Sequence, residues 1–189
     1  MSATKLLAIR PSFSRRLALQ SLAFWFSTTQ AIGQGLRSTE ASSNGPASLA
    51  APLELGQTLQ LPSLTLHNGE KLDRAYFAGH VTVLYWWASW CPFCREQTPE
   101  MQNLWLRHAA RGLRMLAISV DAKPEAANQH WQRGGFTIPM TMYGEDLTRV
   151  LTRPKGVPVT VMIDQRGRVA QIERGQMFPE DVMALSRWI

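Results

Sequence analysis

The chain has 189 residues, of which 45% are hydrophobic and 18% are charged. This length accommodates one domain of ordinary size with some additional sequence, and the composition is that of a folded chain. No run of 18 apolar residues occurs, which excludes a protein with several membrane-spanning helices. The net charge is +6, but the first 31 residues contribute +4 of it, so we expect no nucleic-acid partner.

Residues 1–31 have the pattern of an export signal peptide. Basic residues come first, ending with Arg15 and Arg16, and a ten-residue apolar stretch follows over residues 17–26. That stretch is about half as long as a membrane-spanning helix requires, and Ala31 suits a peptidase cleavage site. The paired arginines partly match the twin-arginine export motif. We therefore predict a periplasmic protein; the alternative is an N-terminal amphipathic or core helix, and an uncleaved membrane anchor is less well supported.

Residues 32–51 are rich in Ser, Gly, Ala and Gln and have no hydrophobic period. Such a segment cannot bury an apolar face, so we expect a flexible linker there. The folded domain is then expected over residues 52–189.

The first element expected in this domain is a β-hairpin. Asn68-Gly69 separates two short apolar-alternating segments, residues 64–66 and residues 71–72. Asn-Gly in that position is a strong signal for a two-residue hairpin turn.

Buried strands and amphipathic helices alternate through the rest of the domain. We expect strands over residues 81–87, 113–120, 138–143, 157–163 and 168–173. We expect helices over residues 91–111, 123–133, 145–151 and 179–189. Pro99 should kink the first helix, and residues 164–167 should form a tight turn. This order predicts an α/β fold of three layers, in which helices flank a mixed sheet with an antiparallel edge.

The two cysteines, Cys91 and Cys94, lie where the first long strand gives way to the first helix. A bridge between them would close too short a loop to stabilise the fold much, so the pair indicates chemistry. A helix N-terminus offers unpaired N–H groups and a positive dipole end, and both favour a thiolate. We expect Cys91 to be the exposed nucleophile and Cys94, one turn further in, to be the buried resolving thiol. Pro92 suits the first helical turn because no N–H donor is needed there.

Two other uses of a Cys-x-x-Cys pair are poorly supported. A zinc site needs further ligands, but there is no second cysteine pair and the four histidines show no paired spacing. Attachment of a c-type haem needs a histidine after the second cysteine, where this chain has Arg95. We therefore expect redox chemistry with no cofactor and no metal.

The segment Trp90-Cys91-Pro92-Phe93-Cys94 resembles the active site of the thioredoxin superfamily. More narrowly, residues 55–189 resemble the exported TlpA/ResA-like thiol–disulfide oxidoreductases, which are close to the CcmG/DsbE proteins. The resemblance matches Pro99 to the helix-kinking proline of thioredoxins. It matches Gly156-Val157-Pro158 to the loop that faces the disulfide, with Pro158 as its cis-proline. It also matches residues 58–72 to the N-terminal hairpin, and residues 113–135, in which the strand ends at Asp121, to the central insertion.

This resemblance implies dithiol–disulfide exchange with exported proteins and recycling by a membrane redox partner. It favours a reductant, with the haem-attachment thiols of apocytochrome c as candidate substrates. The expected substrate-binding residues are Trp90, Pro92, Phe93, Val157 and Pro158. An oxidase of the DsbA type is the main alternative. A peroxidase or a copper-handling protein is less well supported, since Ala88 replaces the Thr or Ser of peroxiredoxins and copper chaperones usually space their cysteines further apart.

Several residues near the predicted site have more than one interpretation. Thioredoxins carry a buried aspartate six residues before the first cysteine, where this chain has Tyr85, a poor proton carrier near pH 7. The general base for Cys94 is therefore not identified. We expect Asp121 to cap the following helix, the alternative being an influence on Cys94. Trp86 and Trp87 are expected in the core.

Overall fold

The computed structural model describes residues 52–189. The predicted export signal, its cleavage site and the predicted linker lie outside the described residues. Within residues 52–189, no helix has the length and apolar character needed to span a membrane.

The domain opens with the expected hairpin, formed by β1 (Leu64–Thr65) and β2 (Lys71–Leu72). The Leu66 N–H donates to the Glu70 carbonyl at 2.8 Å, so the turn contains three residues. Its last residue, Gly69, has φ +85°, which a three-residue hairpin turn with a bulge requires. The expected hairpin is confirmed, but the expected two-residue turn is wrong.

Five further strands form one mixed sheet in the order β5-β4-β3-β6-β7. They are β3 (Thr82–Trp87), β4 (Arg114–Ser119), β5 (Met140–Met142), β6 (Val159–Ile163) and β7 (Val169–Arg174). Strands β3, β4 and β5 are parallel, whereas β6 runs antiparallel to β3 and to β7. The predicted tight turn, in which the Gly167 N–H donates to the Asp164 carbonyl, joins β6 to β7. The expected mixed α/β sheet of the thioredoxin-like fold is confirmed.

The segment ahead of the hairpin does not belong to it, contrary to the expected match of residues 58–72. Instead, Thr58 bridges antiparallel to Arg168 beside β7, at one edge of the sheet. At the opposite edge, the His67 N–H donates to the carbonyl of Met140 in β5 at 2.8 Å. Residues 56–67, which include β1 and the first turn residue and are here called the N-terminal strap, therefore contact both edge strands, whose free backbone groups would otherwise be open to pairing.

Four helices complete the fold: α1 (Pro92–His108), α2 (Pro124–Arg133), α3 (Glu145–Thr148) and α4 (Pro179–Ala184). Helix α1 continues through Pro99, and a 3₁₀ turn over Ala109–Arg111 follows it. Helix α3 is one turn long and ends before the predicted residue 151. Helix α4 tightens into a 3₁₀ turn over Leu185–Trp188, where Trp188 is 37% exposed.

Strand β3 is buried along its whole length, and its side chains alternate between the two faces of the sheet. On one face, the ring of Trp87 packs against that of Trp131 in α2, with centroids 4.7 Å apart. On the other face, the ring of Trp86 meets Tyr143, just before α3, at 5.1 Å. Trp86 and Trp87 are thus core residues, as expected, and β3 is held firmly on both sides where it leads into the cysteine pair.

Candidate active site

Cys91 is the N-cap residue of α1 and has extended backbone angles. Its Sγ accepts a hydrogen bond from the Cys94 N–H at 3.1 Å, the role that a Ser or Asp oxygen plays at other helix starts. The sulfur therefore faces an unpaired helix amide and the positive end of the helix dipole. Cys91 thus lies at the start of α1, where the sequence places it.

The loop before β6 covers Cys91. The Cys91 thiol lies 3.6 Å from the carbonyl oxygen of Val157, and the Val157–Pro158 peptide is cis, as the resemblance implies. Cys91 is only 3% exposed, so the expectation of an exposed nucleophile is wrong.

Cys94 lies one turn inside α1 and is fully buried. Burial, reinforced by the hydrogen bond with Cys91, raises the pKa of the Cys94 thiol far above its ordinary value. A hydrogen bond from the Ala88 amide acts in the opposite direction but is outweighed. Cys94 is therefore a neutral thiol in the dithiol state, and its burial agrees with the role expected for it.

Tyr85 lies beneath Cys94, at the position of the thioredoxin aspartate. Its hydroxyl donates to the Cys94 carbonyl at 3.1 Å and lies 3.1 Å from the Thr98 hydroxyl. Burial raises the pKa of Tyr85 well above its ordinary value, and the nearby Cys94 adds to this effect. Tyr85 stays protonated near neutral pH, so it supports the helix start and does not act as a base.

Asp121 does not cap α2, contrary to expectation, because the N-cap residue is Lys123 and no side chain bonds the helix start. The Asp121 carboxylate instead accepts hydrogen bonds from the Ser89 N–H at 2.9 Å and the Ser89 hydroxyl at 2.7 Å. It also accepts one from the Ser119 hydroxyl at 2.8 Å. The physical reason is that β3 and β4 are parallel, so the residues that follow them meet at one edge. Asp121 therefore braces the loop that carries Cys91.

Two of the predicted substrate-binding side chains form an apolar surface beside Cys91. Trp90 is 63% exposed and Phe93 is 55% exposed, although both are large apolar residues. Pro92, between the cysteines, is also exposed, Val157 is half-buried and Pro158 is buried. The carbonyl of Val157 contacts Cys91 Sγ.

The loop between β7 and α4 also belongs to the site, although no motif in the sequence indicates this. This loop is tied to both halves of the site, because the Gly175 N–H donates to the Pro158 carbonyl and the Met177 N–H donates to the Gln97 side chain. Gln97 is buried in α1, where it also bonds the Thr160 hydroxyl. A buried glutamine one turn after Cys94 is the signal that could have indicated this connection.

Comparisons with known proteins agree with this geometry. The family model described as Redoxin matches residues 54–186. This chain belongs to the Redoxin family. The Redoxin-family chain is 28% identical over 119 residues to "Thiol-disulfide oxidoreductase ResA" of Geobacillus kaustophilus, covering 63% of this chain and 68% of that protein. It is 28% identical over 149 residues to "Thiol:disulfide interchange protein DsbE" of Allochromatium vinosum, covering 74% and 79%.

Solved structures resemble this Redoxin-family protein as well. A putative thiol:disulfide interchange protein DsbE from Chlorobium tepidum is 27% identical with a TM-score of 0.62, covering 72% of this chain and 95% of that one. A thioredoxin-family protein from Chlorobium tepidum TLS, at 22% identity, has a TM-score of 0.62 over 69% and 95% and supports the fold. The expected resemblance is confirmed, and the protein is a thiol–disulfide oxidoreductase of the ResA/DsbE type.

Proposed function

We propose that this protein reduces disulfides of other proteins in the periplasm, with Cys91 as nucleophile and Cys94 as resolving thiol. The observation that carries this proposal is the unequal environment of the two sulfurs. Cys91 Sγ faces the Cys94 amide at the start of α1, whereas Cys94 is buried and protonated. One sulfur is prepared to attack, and the other is held back until the first has reacted.

The reaction then proceeds in two exchanges. The Cys91 thiolate attacks one sulfur of the substrate disulfide, and the other substrate sulfur leaves as a thiolate that takes up a proton. Cys94 next loses its proton and attacks Cys91 Sγ, which breaks the mixed disulfide and releases the second substrate thiol. The substrate gains two electrons, and the protein is left with a Cys91–Cys94 disulfide.

The substrate would dock as an extended segment along Val157 and Pro158. The Val157 carbonyl lies beside Cys91 Sγ, so a substrate strand that pairs with this backbone brings its own sulfur to the nucleophile. Trp90, Pro92 and Phe93 offer apolar contact on the other side of Cys91. Such a surface suits an unfolded or extended polypeptide better than a small molecule.

The predicted export signal supports the periplasmic location, and the names of the ResA and DsbE relatives support the substrate class. A reductant in an oxidising compartment needs electrons from a membrane partner, which would dock at the same apolar surface. The haem-attachment thiols of apocytochrome c are the substrate class we favour. An oxidase of the DsbA type is the alternative, because a strongly stabilised Cys91 thiolate would favour the reduced form of the protein.

Trapping with a disulfide-containing peptide tests the exchange mechanism. The C94S variant should accumulate a mixed disulfide through Cys91, and C91S should accumulate little or none. A C91S variant that traps as much peptide as C94S would contradict the assignment. A protein that turns over peroxide but does not reduce insulin would be a peroxidase. One that shows a copper absorbance band and does not reduce insulin would be a copper-handling protein.

Two measurements in the native host test direction and location. Acid quenching followed by thiol labelling should find Cys91 and Cys94 largely reduced while the membrane donor is intact, whereas a fully oxidised pair would indicate the oxidase. Mass spectrometry should find the mature protein about thirty residues shorter than the chain. A full-length cytoplasmic product would refute the periplasmic location.

A further inference from the structure

A groove of about 560 Å³ lies on the face of the sheet opposite to α1. Tyr85 points toward α1, where its hydroxyl meets the Cys94 carbonyl, so the next side chain along β3, Trp86, lies on the other face. Trp86 pairs across the sheet with Val159, and Val159 pairs with Arg174, so these three side chains share that face. All three line the groove, whose floor is therefore the surface of β3, β6 and β7.

One wall of the groove is the loop that also covers Cys91. Residues 152–158 line the groove. Within this loop, the carbonyl oxygen of Val157 lies 3.6 Å from Cys91 Sγ. Val157 therefore borders both the reactive thiol and the groove.

The floor of the groove is apolar. Val159 and Val161 in β6 are buried, and Ile172 in β7 is half-buried. Leu53, also half-buried, lines the groove ahead of the hairpin. An apolar side chain that entered the groove would leave water for contact with these residues, which favours such a side chain as the ligand.

Three cations rim this apolar floor, and no acidic residue lines it within residues 52–189. Arg153, Lys155 and Arg174 are all exposed. Arg153 donates to the Val120 carbonyl, which is a neutral partner. The ion pairs found in the described part of the chain involve other arginines, so no carboxylate there neutralises the rim. Positive charge beside an apolar surface favours a ligand that carries carboxylates.

We propose that this groove, here called the basic-rimmed groove, is a specificity subsite for the protein substrate. It takes an apolar side chain flanked by acidic residues, a few positions away from the reactive cysteine, and this inference rests on the proposed exchange function. A substrate strand that pairs with the backbone of Val157 continues past the loop into the groove. There its apolar side chain packs on the strands and its carboxylates face the three cations. A second copy of the chain fits poorly, because a two-fold contact through the groove sets the same cations against each other.

Exchange rates with matched peptides test this preference. Each peptide carries one cysteine as a mixed disulfide with 2-mercaptoethanol and has the segment Glu-Leu-Glu on both sides of it. Comparison peptides have Gln-Leu-Gln or Glu-Ser-Glu instead. Each rate constant with the reduced protein is divided by that of dithiothreitol with the same peptide, which removes differences in intrinsic reactivity.

The two comparison peptides separate charge from apolar contact. For wild type we expect Glu-Leu-Glu to react about tenfold faster than Gln-Leu-Gln, the combined effect of two or three exposed charge pairs. This preference should disappear in about 1 M salt, where charges are screened over about 3 Å. Glu-Ser-Glu should also react about tenfold more slowly than Glu-Leu-Glu, and that deficit should persist in salt because it comes from apolar burial.

Charge-reversal variants place the preference in the groove. R174E should reduce the preference for Glu-Leu-Glu over Gln-Leu-Gln from about tenfold to below threefold, and K155E/R174E should favour a Lys-Leu-Lys peptide. R166E is the matched control, because Arg166 is exposed in the turn at the far end of β6 and β7. It changes the net charge by the same amount and should keep the preference within twofold of wild type. If R174E fails to fold, as judged by near-UV circular dichroism, K155E decides by the same comparison.

The proposal is overturned if wild type lacks either the acidic or the leucine preference. It is also overturned if R166E lowers the acidic preference as much as R174E, because the effect would then come from overall charge. Sedimentation as a dimer that R174E dissociates would assign the groove to a second copy. Binding to phosphatidylglycerol vesicles that R174E abolishes, without any peptide preference, would assign it to a membrane surface. Either result overturns the proposal.

Failure of the exchange function gives a different result from failure of the groove proposal. If wild type exchanges with none of the peptides, the proposed exchange function fails and the groove proposal fails with it. If wild type exchanges with all of them at equal normalised rates, the exchange function stands and the groove proposal alone is refuted.

Discussion

Replacing Tyr85 with phenylalanine removes one hydroxyl from beneath the active site and leaves the ring in place. That hydroxyl lies 3.1 Å from the Cys94 carbonyl and 3.1 Å from Thr98 Oγ1. The Cys94 carbonyl keeps a second donor, because the Thr98 hydroxyl bonds it at 2.6 Å. Each hydroxyl has one proton, and Thr98 and Tyr85 both donate theirs to the Cys94 carbonyl, so the substitution breaks one hydrogen bond without leaving that buried carbonyl unpaired.

The lost bond contributes about 0.5–1.5 kcal/mol net, so Y85F should lower the free energy of unfolding by about that amount. The redox chemistry should change little, since Tyr85 is protonated in the native protein and supplies no base. We expect the rates of mixed-disulfide formation and decay to stay within threefold of wild type, with the same pH dependence.

Urea unfolding of the reduced protein measures the first expectation, and the peptide-disulfide assay measures the second. T98V serves as the matched control, because it removes the partner hydroxyl from the same network and leaves Tyr85 intact. A tenfold slower decay in Y85F that recovers at high pH would refute the assignment of Tyr85 as structural support. A loss of stability above about 4 kcal/mol would show that a buried group had been left unpaired.

Three further predictions concern Gln97, Cys94 and the turn between β6 and β7. Q97A should destabilise the protein by about 2–4 kcal/mol in urea unfolding, because it leaves the buried Met177 N–H and the Thr160 hydroxyl without this partner; a loss below 1 kcal/mol would contradict the bridging role. In C91S, alkylation of Cys94 should stay slow through neutral pH and accelerate only in alkaline solution, since the Cys94 pKa is raised; rapid labelling at pH 7 would contradict this. Hydrogen bonds from the Arg168 and Arg166 amides lower the pKa of Asp164, so its contribution is complete above about pH 4 and is lost as the pH falls through the lowered pKa. D164N should accordingly show a weaker loss of thermal stability in acid than wild type, and identical acid profiles would refute that linkage.

The elements that sequence reasoning predicted well are those defined by local pattern. The continuous apolar run at residues 81–87 and the helical spacing after Cys91 both identify buried elements, because burial on one or two faces fixes the period of apolar residues. The bond between Ser89 and Asp121 could not be derived in this way. It depends on β3 and β4 being neighbours in the sheet, which no local pattern specifies.

The hairpin turn and the role of Asp121 were misassigned because both depend on tertiary contacts that local sequence does not specify. The Asn68-Gly69 pair signalled a turn correctly, but the length of the turn follows from the pairing of Leu66 with Glu70. Asp121 is of a residue type that often caps helices and lies near the start of α2. Its carboxylate nevertheless accepts hydrogen bonds from two serines at the ends of the parallel strands and does not cap the helix. Short polar side chains have several local partners available, and tertiary structure decides among them.

The N-terminal strap has a consequence for the order in which the domain can form. Thr58 pairs with Arg168, more than a hundred residues further along the chain, and the partner strand β7 is the last of the sheet. A chain that is delivered one residue at a time, from a ribosome or through a translocation pore, cannot complete this contact until it is almost entirely free. The early segment must therefore wait for the last strand, and closure of this sheet edge by the strap is a late event in the formation of the domain.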